Sequence, residues 1–133
     1  MSEGDVTQPA LAILIGHGEF SAGLASAVGQ ITGMADRFVS MSNTGMAPTD
    51  IESALRSQVE ATGARVIFTD LPAGSATLAA RRVARDVPEI VLVSGVNLAT
   101  LLDFVCSSAP SPGEAARGAA ERGRASIVVL EPR

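Results

Sequence analysis

Lysine, tryptophan and tyrosine are missing from this chain of 133 residues, and histidine and cysteine occur once each, as His17 and Cys106. Each absence removes a class of chemistry. Without lysine there is no P-loop, no Schiff base and no lysine general base, and all ten positive charges are arginines. Aromatic stacking on bases or sugars has only four phenylalanines to draw on, and the formal net charge is −4, so no nucleic-acid partner is expected. A single cysteine allows no internal disulfide, and one histidine with one cysteine cannot assemble a typical zinc site within one chain. No metal site is expected. The opening segment MSEGDVTQPA is polar and acidic and lacks the basic start and apolar stretch of a signal peptide. The apolar run after it is far too short to cross a bilayer. These features point to a cytoplasmic protein.

What is present is a globular composition, 47% apolar, in a length suited to one domain. We expect a polar lead over residues 1–9 and a single α/β domain over 10–133. Leu11 to Ile15 is a continuous apolar run, as in a strand covered on both faces. Phe20, Leu24, Val28 and Ile31 follow at helical spacing, with Gly33 as the stop. Arg37 to Met41 reads as a weaker strand and Ser42 to Ala47 as a loop. Thr49-x-x-Glu52 after Pro48 has the form of a capping box for a helix carrying Ile51, Leu55 and Val59, which ends at Gly63.

Val66 to Phe68 is the next strand, running into Thr69-Asp70. Ser75 is placed to cap a third helix with Ala79, Val83 and Val87 on its apolar stripe, ending at Pro88. Ile90 to Val93 is a fourth strand, and Asn97 caps a helix bearing Leu98, Leu101, Leu102 and Val105. Ser111-Pro112-Gly113-Glu114 opens a fifth helix that Gly123 closes, and Ile127 to Leu130 makes a last strand. Strands alternating with helices predict a doubly wound, mainly parallel open sheet with helices on both faces.

In such a sheet, ligands bind beyond the carboxyl ends of the strands, where strand order reverses. His17 lies just past the first strand between Gly16 and Gly18, which remove steric cover from the ring. A lone histidine is more often a surface or core residue than a reacting one, so position makes His17 a candidate only. Asp70, at the end of the third strand, is within reach of it in common strand orders. A carboxylate there would fix the tautomer of the ring and stabilise its cation; equally, Asp70 would serve as a cap for the next helix. The turn Pro72-Ala73-Gly74-Ser75 leads into a helix N-terminus suited to an anion, and the Ser75 hydroxyl can add a hydrogen bond or simply cap the helix. Together these residues describe a histidine able to accept a phosphoryl group.

Three motifs, ILIGHGEFSAGL, IFTDLPAGS and SGVNLATLL, occur in an order and spacing that resembles the IIA component of the mannose-type sugar phosphotransferase system, over nearly the whole chain. The resemblance implies that His17 takes a phosphoryl group from the phosphocarrier HPr and passes it to a IIB component. It implies that Asp70 orients the ring and that Gly74 and Ser75 receive the phosphate. No cofactor is implied beyond a transient phosphohistidine. It further implies a homodimer in which the last strand packs across onto the partner, with the membrane reached only indirectly, through a permease complex. Asn97 is given no chemistry beyond capping. The chain departs from the family where a Gly-Gly-Ser-Pro turn becomes Ala73-Gly74-Ser75-Ala76, and where a common threonine before the histidine becomes Gly16.

Glu19, Phe20 and Leu71 are candidates for a docking rim, with Arg81, Arg82 and Arg85 as further candidates or a plain solvated face. Two other readings share the fold. One is the IIA-like subunit of a dihydroxyacetone kinase relay, which carries a serine after its histidine where this chain has Gly18. The other is a regulatory or binding module without phosphoryl flux, for which His17 would lack a carboxylate partner. A hydrolase is disfavoured because no G-x-S-x-G elbow is present.

Overall fold

In the computed structural model, which describes residues 11–132, four strands form one sheet in the order β2-β1-β3-β4: β1 (Ala12–Gly16), β2 (Phe38–Ser42), β3 (Val66–Thr69) and β4 (Val91–Ser94). Every pairing is parallel, with Ile13 opposite Val39 and Ile67, and Ile67 opposite Leu92. The predicted polar lead of residues 1–9 lies outside the described residues. Helices α1 (Phe20–Thr32), α2 (Pro48–Thr62), α3 (Ser75–Asp86), α4 (Leu98–Val105) and α5 (Pro112–Ala125) complete the α/β arrangement. Among the described residues no helix is long and apolar enough to cross a membrane.

Alternation along β1 divides the core. Ala12 and Leu14 face α1, α4 and α5, where Phe38, Phe68 and Phe104 form an aromatic cluster with ring centroids 5.0–6.2 Å apart. Ile13 and Ile15 face the opposite way, onto Ile51 and Leu55 of α2 and Ala79, Ala80 and Val83 of α3. The continuous apolar run is thus the expected central strand, buried on both faces. Arg56 of α2 bridges Glu52 at 2.8 Å and Asp86 of α3 at 2.7 Å, pinning the two helices together at the surface.

Several local expectations are corrected. The buried face of α1 is Ser21, Ala25 and Val28, with Phe20 and Leu24 only half-buried and Ile31 61% exposed. Small residues bring α1 close to the sheet, and the Ser21 hydroxyl donates to the Met41 carbonyl at 2.6 Å. The Thr49–Glu52 capping box does not form. Pro48 occupies the first helical position, which makes Ala47 the N-cap, and Glu52 pairs with arginines instead. Ser75 likewise lies inside α3, behind an N-cap at Gly74. Asn97 and Ser111 do cap their helices, accepting from the Thr100 and Glu114 N–H groups.

Gly123 does not close α5, which continues to Ala125. Its missing side chain serves packing: a Cβ there would collide with Thr100 Oγ1 and stand 2.9 Å from Asn97 Oδ1. The predicted last strand, Ile127 to Leu130, pairs with no strand among the described residues, and its four residues are 71–89% exposed. An apolar segment is held as a strand only by a neighbouring edge, and the described residues bring none to it.

Candidate functional site

Strand order reverses between β1 and β3, whose connections leave in opposite directions along the sheet. That crevice is where the fold places a ligand, and it is where His17 and Asp70 meet. Asp70 Oδ2 accepts from both the His17 backbone N–H at 2.9 Å and the His17 ring, with Nδ1 at 2.7 Å. The imidazole side chain is 58% exposed while the Asp70 side chain is 10% exposed. The carboxylate is therefore a largely covered strut beneath an open ring. Asp70 is a partner of His17 and not a cap on α3.

The electrostatics follow from the geometry. Partial burial alone would push the Asp70 carboxyl up, but hydrogen bonds from the His17 ring and backbone, and the charge of the ring, outweigh it. The pKa lies below the ordinary 3.8. An ionised Asp70 favours the proton on Nδ1, which leaves the lone pair of the neutral ring on Nε2.

Gly16 makes the pair possible. A Cβ at this position would lie 2.9 Å from both Asp70 Cγ and Asp70 Oδ2 and 2.7 Å from the Phe20 ring. Gly74 approaches from the other side, with φ of 143°, and a Cβ there would be 3.9 Å from His17 Cε1. The first bond of α3 runs from the Leu78 N–H to the Gly74 carbonyl at 3.0 Å. The N–H groups of Ser75, Ala76 and Thr77 accordingly have no acceptor within the helix, and they lie at the positive end of its dipole. All four sequence-predicted site residues, His17, Asp70, Gly74 and Ser75, come together at these strand ends.

The loop after β2 supplies what the sequence reading left out. Thr44 Oγ1 accepts from the Gly18 N–H at 3.0 Å, and Asn43 Nδ2 donates to Ser75 Oγ at 2.8 Å. A polar run, Ser42-Asn43-Thr44, following a strand beside β1 was the available signal. Beneath the Asp70 turn, Thr69 Oγ1 bonds Thr77 Oγ1 at 2.7 Å and Ser94 Oγ at 2.9 Å. Thr77 in turn donates to the Leu71 carbonyl, fixing the loop between Asp70 and Gly74. Of the rim candidates, Glu19 and Leu71 are exposed and Phe20 is half-buried; Arg82 is 3.8 Å from Glu52, while Arg81 and Arg85 are exposed.

A family model described as the PTS system fructose IIA component, EIIA-man, matches residues 12–118. The mannose/sorbose-specific IIA subunit of the phosphotransferase system from Enterococcus faecalis superposes with a TM-score of 0.80 at 20% identity, over 95% of this chain and 98% of that one. The phosphotransferase system component EIIA from Streptococcus agalactiae gives 0.81 at 24% identity, over 89% and 95%. A sigma-54 interaction domain protein from Enterococcus faecalis shares the fold at 0.70 and 12% identity, over 90% and 94%. No curated protein sequence matches the chain. At these identities the structures speak for the fold, and the family model, which spans most of the chain, speaks for descent. The chain belongs to the mannose-type IIA family of the phosphotransferase system and is a phosphotransfer component of that kind.

Proposed function

We propose that this protein carries a phosphoryl group on His17 Nε2, accepted from the phosphocarrier HPr and handed to a IIB component in sugar uptake or its regulation. The observation that carries this reading is the bond from the ring Nδ1 to Asp70 Oδ2 at 2.7 Å beneath a ring that is 58% exposed. In the proposed step the Nε2 lone pair attacks phosphorus, the bond from phosphorus to the donor's histidine nitrogen breaks, and its electron pair returns to that donor ring. The His17 proton stays on Nδ1. The phosphorylated ring is thus cationic, and the Asp70 carboxylate stabilises it. The phosphoryl oxygens sit at the free N–H groups of α3, with Gly74 admitting them and the Ser75 hydroxyl donating. The imidazole is itself the nucleophile, so the step calls for no metal and no organic cofactor. Transfer between two proteins through an exposed ring fits a brief encounter in the cytoplasm, with a membrane permease engaged only through IIB.

A homodimer belongs to the same proposal. Ile127 to Leu130 offers an exposed apolar strand-length segment, and β4 is a sheet edge with no neighbour on its outer side among the described residues. A second copy would give each what it lacks. A binding module of the same fold gains nothing from the His17–Asp70 pairing, which favours the carrier.

The test is transfer from phosphoenolpyruvate through enzyme I and HPr, with His17→Ala in parallel. An acid-labile, base-stable phosphate on wild type alone supports the carrier. Absence of label on wild type while HPr is phosphorylated overturns it.

A further inference from the structure

Asn43 is 5% exposed, and its hydrogen bonds join the ends of β1 and β2 to the start of α3. Its backbone N–H donates to the Gly16 carbonyl at the end of β1, at 3.1 Å. Its own carbonyl accepts from the Met46 N–H at 3.1 Å, closing the turn after β2. Its side-chain amide crosses to the first residue of α3, with Nδ2 2.8 Å from Ser75 Oγ. Asn43 Oδ1, by contrast, is buried and finds no donor among the described residues. A buried acceptor without a partner disfavours folding, so local stability does not account for an amide here. Its effect on Ser75 does.

A serine hydroxyl has one proton to donate and two lone pairs to accept with, and an amide nitrogen only donates. Filling one Ser75 lone pair from Nδ2 prevents the hydroxyl from spending its proton on the amide. The proton is left for another acceptor, and phosphoryl oxygens, which only accept, lie within the proposed site. The opposite amide orientation would draw the Ser75 proton onto Oδ1 and away from the phosphate.

We propose that Asn43 is a positioning residue for phosphoryl transfer, aiming the Ser75 hydroxyl at the phosphoryl group on His17. This inference rests on the carrier reading above, and its action runs wholly through Ser75.

The experiment measures the rate and donor-concentration dependence of phosphoryl uptake from phosphorylated HPr for wild type, Ser75→Ala, Asn43→Ala, the double variant, and Asn43→Asp. Ser75→Ala is expected to slow the transfer step about tenfold with an unchanged KM for HPr, as expected for one hydrogen bond to a charged group. Asn43→Ala is expected to lose about as much, and the double variant no more than either single one, because both changes remove the same bond. Asn43→Asp keeps the shape, so it decides the case if the alanine variant fails to fold. Its carboxylate can only accept, so the Ser75 proton turns inward and the rate falls at least as far as in Ser75→Ala. Wild-type rates in Asn43→Ala or Asn43→Asp, or losses that multiply in the double variant, overturn the assignment while leaving the carrier intact. A wild-type protein that takes up no phosphate at all overturns the carrier reading, and this inference falls with it.

Discussion

Gly16 and Asp70 stand so close that a Cβ on Gly16 would lie 2.9 Å from the carboxyl carbon of Asp70. The residue before the histidine and the residue that holds its ring are therefore one steric unit. Gly16→Ala is expected to push the carboxylate off its bond to the His17 ring, slowing phosphoryl transfer about tenfold, while the fold loses about 1–3 kcal/mol to overpacking. Transfer kinetics alongside urea unfolding would check this, and wild-type kinetics would show that Asp70 does not need its present place.

His17→Ala is expected to abolish phosphoryl uptake and leave the unfolding transition nearly unchanged, because its side chain is 58% exposed and contributes little packing. Labelling from phosphorylated HPr, with a thermal melt beside it, reads both halves of the expectation.

Asp70→Asn retains the shape and a hydrogen-bond acceptor but loses the charge that stabilises the phosphorylated ring. Transfer is expected to slow on the order of a hundredfold while His17 still accepts phosphate. Unaltered rates in stopped-flow transfer would reduce Asp70 to a structural role.

The depressed Asp70 pKa sets a direction for acid stability. Since the folded pKa lies below the ordinary 3.8, the ionised carboxylate stabilises the fold above that value. This contribution is lost as pH falls through the folded pKa. Melting temperatures of wild type and Asp70→Asn, compared from pH 7 down to about pH 2, are expected to converge at the acid end. A difference that widens on acidification would contradict the pairing.

Paired replacement of Ile127 and Val129 by aspartate tests the proposed dimer. Sedimentation is expected to show a dimer for wild type and a monomer for the variant, since charges placed on an apolar strand oppose its burial against β4 of a second copy. Equal mass for both would remove that part of the proposal.

Much of this molecule was legible in its residues. The run Leu11 to Ile15 marked a central strand because a strand covered on both faces has no polar side to show. Asn97 and Ser111 marked helix starts because a short polar side chain there satisfies an N–H that the helix cannot. His17 and Asp70 were visible as strand-end residues, and the strand order then brought them to one crevice. Less legible were features set by distance across the fold. Gly123 looked like a helix stop, but it is a helical residue whose missing side chain lets α5 close on Thr100. Thr49 looked like a cap, yet the fixed backbone of Pro48 moved the helix start ahead of it. Ile31 matched the apolar period, but α1 approaches the sheet through Ser21 and Ala25 and leaves it outside.

By itself the sequence determined the alternation of strands and helices, the single imidazole, and the absence of lysine and of a thiol cluster, because these depend only on composition and short-range spacing. The tertiary structure alone decided that Asp70 reaches the His17 ring, that Gly16 must lack a side chain to allow it, and that Asn43 reaches Ser75 across 32 positions of chain. Those are contacts between ends of different strands, and only parallel pairing in a particular order makes them neighbours.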